Sequence, residues 1–338
     1  MQKNKDLWIY IWSRGYRCAT LAFILGISAW GGYGFCQSVS FPVKPITLVV
    51  PFPPGGVADI VARPVAEALG RELGQPVLVE NRAGAGGGIG MGFVARSKPD
   101  GYTMLLALSS VTVIPEADVI VGRNPMFALS DLKPIARFTA DPTVLVVRAD
   151  APWRNLKDFL EDAKKRPRAI NYGSSGNYGT MHVPMVMLEM GAGVSFTHVP
   201  FTGAGPAIVG LLSGQIDAVA SGPATVLQNI KAGKLRALAQ WGSNRLELLP
   251  DVHTLAEDGI NVQYAQWSGL FLPAGVPDSV ALKIKAAAKV VASDSRVREN
   301  ISNAGSPLQY MDTGEFEKYV QADSKKMADL VKHMGKLD

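Results

Sequence analysis

Residues 51 to 59 of this 338-residue chain read PFPPGGVAD, directly after the apolar run ITLVV and directly before a helical pattern. Three prolines stiffen the connection, and Gly55 and Gly56 leave its backbone open to close approach beside Phe52 and Pro54. A helix starting there offers unpaired N–H groups and the positive end of its dipole, which together suit an anion. Asp59, in the first turn, has two readings: a cap for that helix, or a group that holds a water.

Three more stretches share the design. In VENRAGAGGGIGMGFVA (79 to 95), Asn81 precedes a glycine-rich helix start. In NYGSSGNYGTMHV (171 to 183), Ser174, Ser175 and Gly176 follow a strand pattern, and Thr180 and His182 stand at a helix start. In HVPFTGAGPAIVG (198 to 210), Phe201, Thr202, Gly203 and Ala204 do the same. His182 reads equally as a buried, hydrogen-bonded core residue or as a ligand contact. Phe201 packs either on a ligand or under its own loop.

Several chemistries fail on spacing. No G-x-G-x-x-G occurs among the glycines at 84 to 92, and no acid closes a strand about 20 residues later, so a nicotinamide cofactor is not expected. From Gly173 the G-x-S-x-G elbow of hydrolases ends on Asn177 instead of glycine. The four histidines (182, 198, 253 and 333) lack metal-ligand spacing. What remains is a set of uncharged donors. A hydrogen bond to a charged group contributes about 1.5–3 kcal/mol, so three or four approach the ~8 kcal/mol of micromolar binding without an arginine clamp.

Short apolar runs at 45–50, 76–80, 103–108, 143–147, 169–173, 194–199, 215–220 and 235–240 alternate with helix-length segments. That alternation predicts an α/β fold with parallel sheets covered on both faces. A fresh helical start after TVLVV, and the turn-rich GSNRLELLPD after KLRALAQW, predict two lobes joined by crossing strands. One lobe is residues 41–141 plus 241–338 and the other is 142–240. A cleft between lobes is the default binding site. Residues 278–303 and 313–335 read as amphipathic helices, with Leu282, Ile284, Ala287 and Val291 on the apolar stripe of the first.

Residues 1–40 differ in kind. Lys3, Lys5, Arg14 and Arg17 precede ATLAFILGISAW and a small-residue stretch, the order of a secretory signal peptide, with cleavage expected between residues 36 and 40. The apolar run is shorter than the ~20 residues a membrane span needs. Both cysteines, Cys18 and Cys36, lie in this leader. Four of the 34 Lys and Arg and one of the 29 acids lie there too, leaving 30 against 28 and a formal charge of +2. No basic run interleaved with aromatics remains, so nucleic acid is not an expected partner.

Read together, PFPPGGVADIVAR, GQPVLVENRAGAGGGIG, KPDGYTMLL, NYGSSGNYGTMHV, HVPFTGAGPAIVGLLSGQID and LPDVHTLAEDG resemble the extracytoplasmic receptors of tripartite tricarboxylate transporters, the Bug family. The resemblance runs in order over most of residues 41 to 338. It implies a two-lobed, type II periplasmic binding protein fold and a small carboxylate ligand. In that family one carboxylate is held by backbone amides, hydroxyls and waters of the loops matching Phe52–Asp59 and Ser174–His182. Loops matching 81–87 and 201–205 assist. It further implies transporter membrane subunits as partners, a periplasmic location, no cofactor, no metal and no catalysis, and a monomer that is not membrane-embedded. Two departures bear on the distal end of the ligand. Ser221 and Gly222 stand where many members carry Asp-Asn, and the segment containing Ser109 lacks the usual Gly-Thr-His-type pattern. A periplasmic sensor for a signalling kinase, and an exported α/β hydrolase using Ser174 or Ser175 with His182, are the alternative readings.

Overall fold

The computed structural model describes residues 41–335. The expected leader and its cleavage site lie outside the described residues. Strand β1 (Ile46–Val50) forms where ITLVV supplies β-branched residues, and it is buried at nearly every position because helices cover both sheet faces. Helix α1 (Val57–Leu73) follows and stops at Gly74, whose φ of 71° is a left-handed C-cap. Then come β2 (Val77–Asn81), α2 (Gly88–Ala95), β3 (Thr103–Leu108), α3 (Ile114–Ile120) and β4 (Leu132–Pro142). A single residue, Thr143, separates β4 from β5 (Val144–Arg148). Next are α4 (Leu156–Lys165), β6 (Asn171–Ser174), α5 (Val183–Ala192), β7 (Thr197–Pro200), α6 (Ala204–Leu212), β8 (Ala218–Ser221), α7 (Pro223–Lys231) and β9 (Leu235–Gln240). The described chain closes with β10 (Ala265–Pro273), α8 (Asp278–Ser293), α9 (Ser295–Asn303) and α10 (Thr313–Met334).

These strands make two five-stranded sheets, ordered β2-β1-β3-β10-β4 and β7-β6-β8-β5-β9. In each, the fourth strand runs antiparallel to both neighbours and the remaining pairings are parallel. The chain passes between sheets twice, and the passages lie side by side: Trp241 N donates to Thr143 O at 3.0 Å and Tyr264 N donates to Trp241 O at 3.1 Å. Trp267 anchors the first sheet, its indole edge-on to Phe316 with centroids 5.5 Å apart. The second is filled by Val144, Val146 and Val219 against Ala207 and Leu211 of α6 and Leu227 of α7.

Three local expectations change. Residues 132–142 and 265–273 are strands although neither was among the runs read as strands. Prolines at 134, 142 and 273 mask them, and β4 is an edge strand, where a missing N–H is tolerated. The helix expected over 278–303 breaks at Asp294, whose Oδ1 accepts from Arg296 N at 2.8 Å and caps α9. Leu282 is 63% exposed instead of packed. The buried stripe of α8 runs through Ala281, Ile284, Ala287, Ala288 and Val291, and Leu282 sits one residue round the helix from it.

Candidate ligand-binding site

The loop leaving β1 is held from behind. Asp59 is buried, and its Oδ2 accepts from Gly55 N at 3.0 Å and Arg63 Nε at 2.9 Å. Its Oδ1 accepts from Asn81 Nδ2 at 2.9 Å and Arg63 Nη2 at 2.8 Å. Asn81 Nδ2 also donates to Phe52 O at 2.9 Å, tying β2 to the same loop. Burial pushes the Asp59 carboxyl up, yet the hydrogen bonds from Arg63, Gly55 and Asn81 outweigh it and hold it below the usual carboxylate range. With four donors in place on Asp59, the loop is braced from behind, and Gly55 N and Phe52 O are taken up in the bracing.

The two sheets' loops meet main chain to main chain. A Cβ on Gly86 would lie 2.9 Å from Asn177 O, and one on Gly176 would lie 2.9 Å from Gly86 N, so any larger residue at either position would push the loops apart. Ser110 Oγ donates to Gly86 O at 3.0 Å and supports that contact. A second contact joins the loop of β1 to the start of α6, where a Cβ on Gly203 would lie 2.4 Å from Pro53 Cδ. A groove of about 570 Å³ borders the meeting point, with Ala85, Ile114 and Met126 on one wall and Asn177, Phe201 and Thr202 on the other.

In the loop after β6, Ser174 and Ser175 are both buried but differently engaged. Ser174 Oγ lies 2.6 Å from His198 Nε2 and accepts from Gly176 N at 3.1 Å. Ser175 Oγ is buried with no protein hydrogen-bond partner. His182 is tied into its own lobe: its Nδ1 accepts from Tyr178 N at 2.9 Å, which places the proton of the neutral ring on Nε2. Its ring stacks on His198 with centroids 4.1 Å apart, and Tyr172 stacks on His198 in turn at 5.0 Å. Burial, then the adjacent His198, lowers the His182 pKa to about 3, and burial lowers that of His198 to about 4. Both imidazoles are therefore neutral near pH 7. The serine–histidine contact that does exist is thus Ser174 with His198, and that serine is tied into its own loop.

Other expected residues are held by hydrogen bonds or by packing. Thr180 Oγ1 accepts from Gln266 Nε2 at 2.7 Å, a buried bond from the second sheet's loop to the first sheet's β10. Phe201 packs under its loop against the second core and also lines the groove. Ala204 is buried at the start of α6. Ser221 Oγ pairs with Thr225 Oγ1 at 2.8 Å, and Ser109 Oγ pairs with Tyr264 OH at 2.9 Å. Gln266, Tyr264 and Ser110 were not singled out from sequence. Gln266 opens an antiparallel strand, so it stands at the sheet edge where β1 and β3 end, and only the pairing of β10 reveals that.

Two sheets whose glycine-rich strand ends face one another across a paired crossover define a periplasmic binding protein fold. The family model for tripartite tricarboxylate transporter family receptors matches residues 61–336, and the chain belongs to that family. A UPF0065 protein of Bordetella pertussis is 31% identical over 321 residues, covering 94% of this chain and 96% of that one. The solved structure of the periplasmic binding protein BugD is 31% identical with a TM-score of 0.82, over 87% of this chain and 98% of that one. MatC from Rhodopseudomonas palustris, solved with bound malate, is 30% identical with a TM-score of 0.80, over 86% of this chain and all of that one. The chain is accordingly a solute-binding receptor of this family and not an enzyme. Among the described residues no helix is long and apolar enough to cross a membrane.

Proposed function

We propose that the protein is exported, captures a small carboxylate between two lobes (41–141 with 241–338, and 142–240), and delivers it to the membrane subunits of a tripartite tricarboxylate transporter. Membership of the receptor family supports delivery to a transporter over service to a sensor kinase. The observation that carries capture is Ser175 Oγ: a buried hydroxyl without a protein partner, in the loop that meets Gly86 of the other lobe. Buried hydroxyls are rarely left unpaired, because that costs about 1–3 kcal/mol, and a carboxylate oxygen would satisfy this one.

In this reading Ser175, Gly176, Phe52, Pro54, Gly55, Gly56, Phe201, Thr202, Gly203 and Ala204 surround the ligand, with Thr180, Ser109 and Ser221 near its distal end. Asp59, Asn81, Ser174 and His182 position those groups. MatC, with its malate, supports a ligand of this class. Isothermal titration with small mono- and dicarboxylates, each beside its amide, tests the reading. The acids are expected to bind at least about tenfold more tightly than the amides, and equal binding would sink it.

A further inference from the structure

At the interlobe contact a second buried side chain carries an unpaired polar atom. Gln266 is buried at the start of β10. Its Nε2 donates to Thr180 Oγ1 on the opposite lobe at 2.7 Å, which fixes the amide and turns Oε1 the other way, toward the start of α7. There Gly222 makes room: a Cβ on it would lie 2.6 Å from Gln266 Oε1 and 2.9 Å from Val57 Cγ2. The positive end of the α7 dipole suits an oxygen at this position. Pro223, the first helical residue, has no N–H to give it. Oε1 remains buried without a hydrogen-bond partner.

The strand neighbour leaves a second buried oxygen without a protein partner. Asp141 of β4 pairs in register with Gln266, so the two side chains stand on one face of the sheet. One Asp141 oxygen accepts from Ser306 Oγ, while Oδ1 is buried and unpartnered. Arg137, whose charge acts on Asp141, donates to Gln309 O and lies over the Tyr319 ring. A bare carboxylate oxygen has no proton to give Gln266 Oε1, whereas a hydroxyl or amino group supplies one.

We propose that Gln266 is a specificity-determining residue whose amide oxygen accepts a hydrogen bond from the ligand, selecting carboxylates that carry a hydroxyl or amino group over bare dicarboxylates. This rests on the carboxylate-receptor reading above. Isothermal titration with succinate, malate and aspartate, and with glutarate, 2-hydroxyglutarate and glutamate, compares parents with donor-bearing derivatives of equal length. In each active series a hydroxy or amino acid is expected to bind at least about tenfold more tightly than its parent. Gln266→Leu removes the acceptor and should narrow that ratio to about twofold. Gly222→Ala pushes the amide aside without changing its chemistry, and should narrow the ratio as well. Bare diacids bound as tightly as their derivatives by the unmodified protein, or a ratio unchanged in both variants, would overturn the proposal. Should the unmodified protein bind none of these acids or their shorter and longer relatives, the receptor reading itself falls, and this inference with it.

Discussion

Two adjacent serines divide labour in the loop after β6. Ser174 is committed to His198 and Gly176, so its substitution should act mainly on folding, while Ser175 has no protein partner to lose. Ser175→Ala is therefore expected to weaken carboxylate binding by about 1.5–3 kcal/mol, one charge-assisted hydrogen bond, with a change in unfolding free energy near zero. Titration calorimetry beside a denaturant melt separates the two readouts. A large loss of stability with unchanged affinity would make Ser175 a structural residue. Asp59 illustrates the opposite case, a buried carboxylate whose two oxygens accept four hydrogen bonds from Gly55, Arg63 and Asn81.

At the scale of elements, the glycine-rich helix starts were legible in sequence because glycine, proline and serine after an apolar run carry their own backbone chemistry. The antiparallel strands were not. β10 reads as AQWSGLFLP, an apolar run whose direction depends on partners more than 100 residues away, and β4 carries two prolines that local rules count against a strand. Gln266 is illegible for the same reason, since its place beside the carboxyl end of β3 follows from the reversed strand. The meeting of Gly86 and Gly176 gives this scale a test. Gly176→Val puts side-chain atoms where Gly86 N lies 2.9 Å from a single Cβ, and φ at Gly176 is 110°, a conformation L residues avoid. The variant is expected to fold into two intact lobes but to lose at least about tenfold in ligand affinity, read by calorimetry. Unaltered affinity would show that the loops need not touch.

For the molecule as a whole, the stacked His182–His198 pair links stability to pH. Both are held neutral, at about 3 and about 4, against an unfolded value of 6.5. Between roughly pH 6.5 and 4 the unfolded chain therefore binds protons that the folded chain refuses, and stability falls on acidification, in full force only above pH 6.5. Each fully buried imidazole contributes up to about 1.4 kcal/mol per pH unit in that window, and half-buried His198 contributes less. Asp141 works in reverse. Burial, opposed by Ser306 and Arg137, raises its carboxyl to about 7, which costs stability as pH rises from 3.8 toward 7. Comparing denaturant melts of the unmodified protein with a His182→Gln, His198→Gln double variant cancels the Asp141 contribution. The variant should show the shallower loss between pH 6.5 and 4, and parallel profiles would refute the assignment.

The strand order also bears on which sheet can close first. All five strands of the second sheet lie between residues 144 and 240, so that sheet can assemble as soon as its stretch of polypeptide has emerged. In the first sheet, β10 is inserted between β3 and β4, whose hydrogen bonds it completes on both sides. Until residues 265–273 join the sheet, β3 and β4 have no strand between them and wait with unpaired edges.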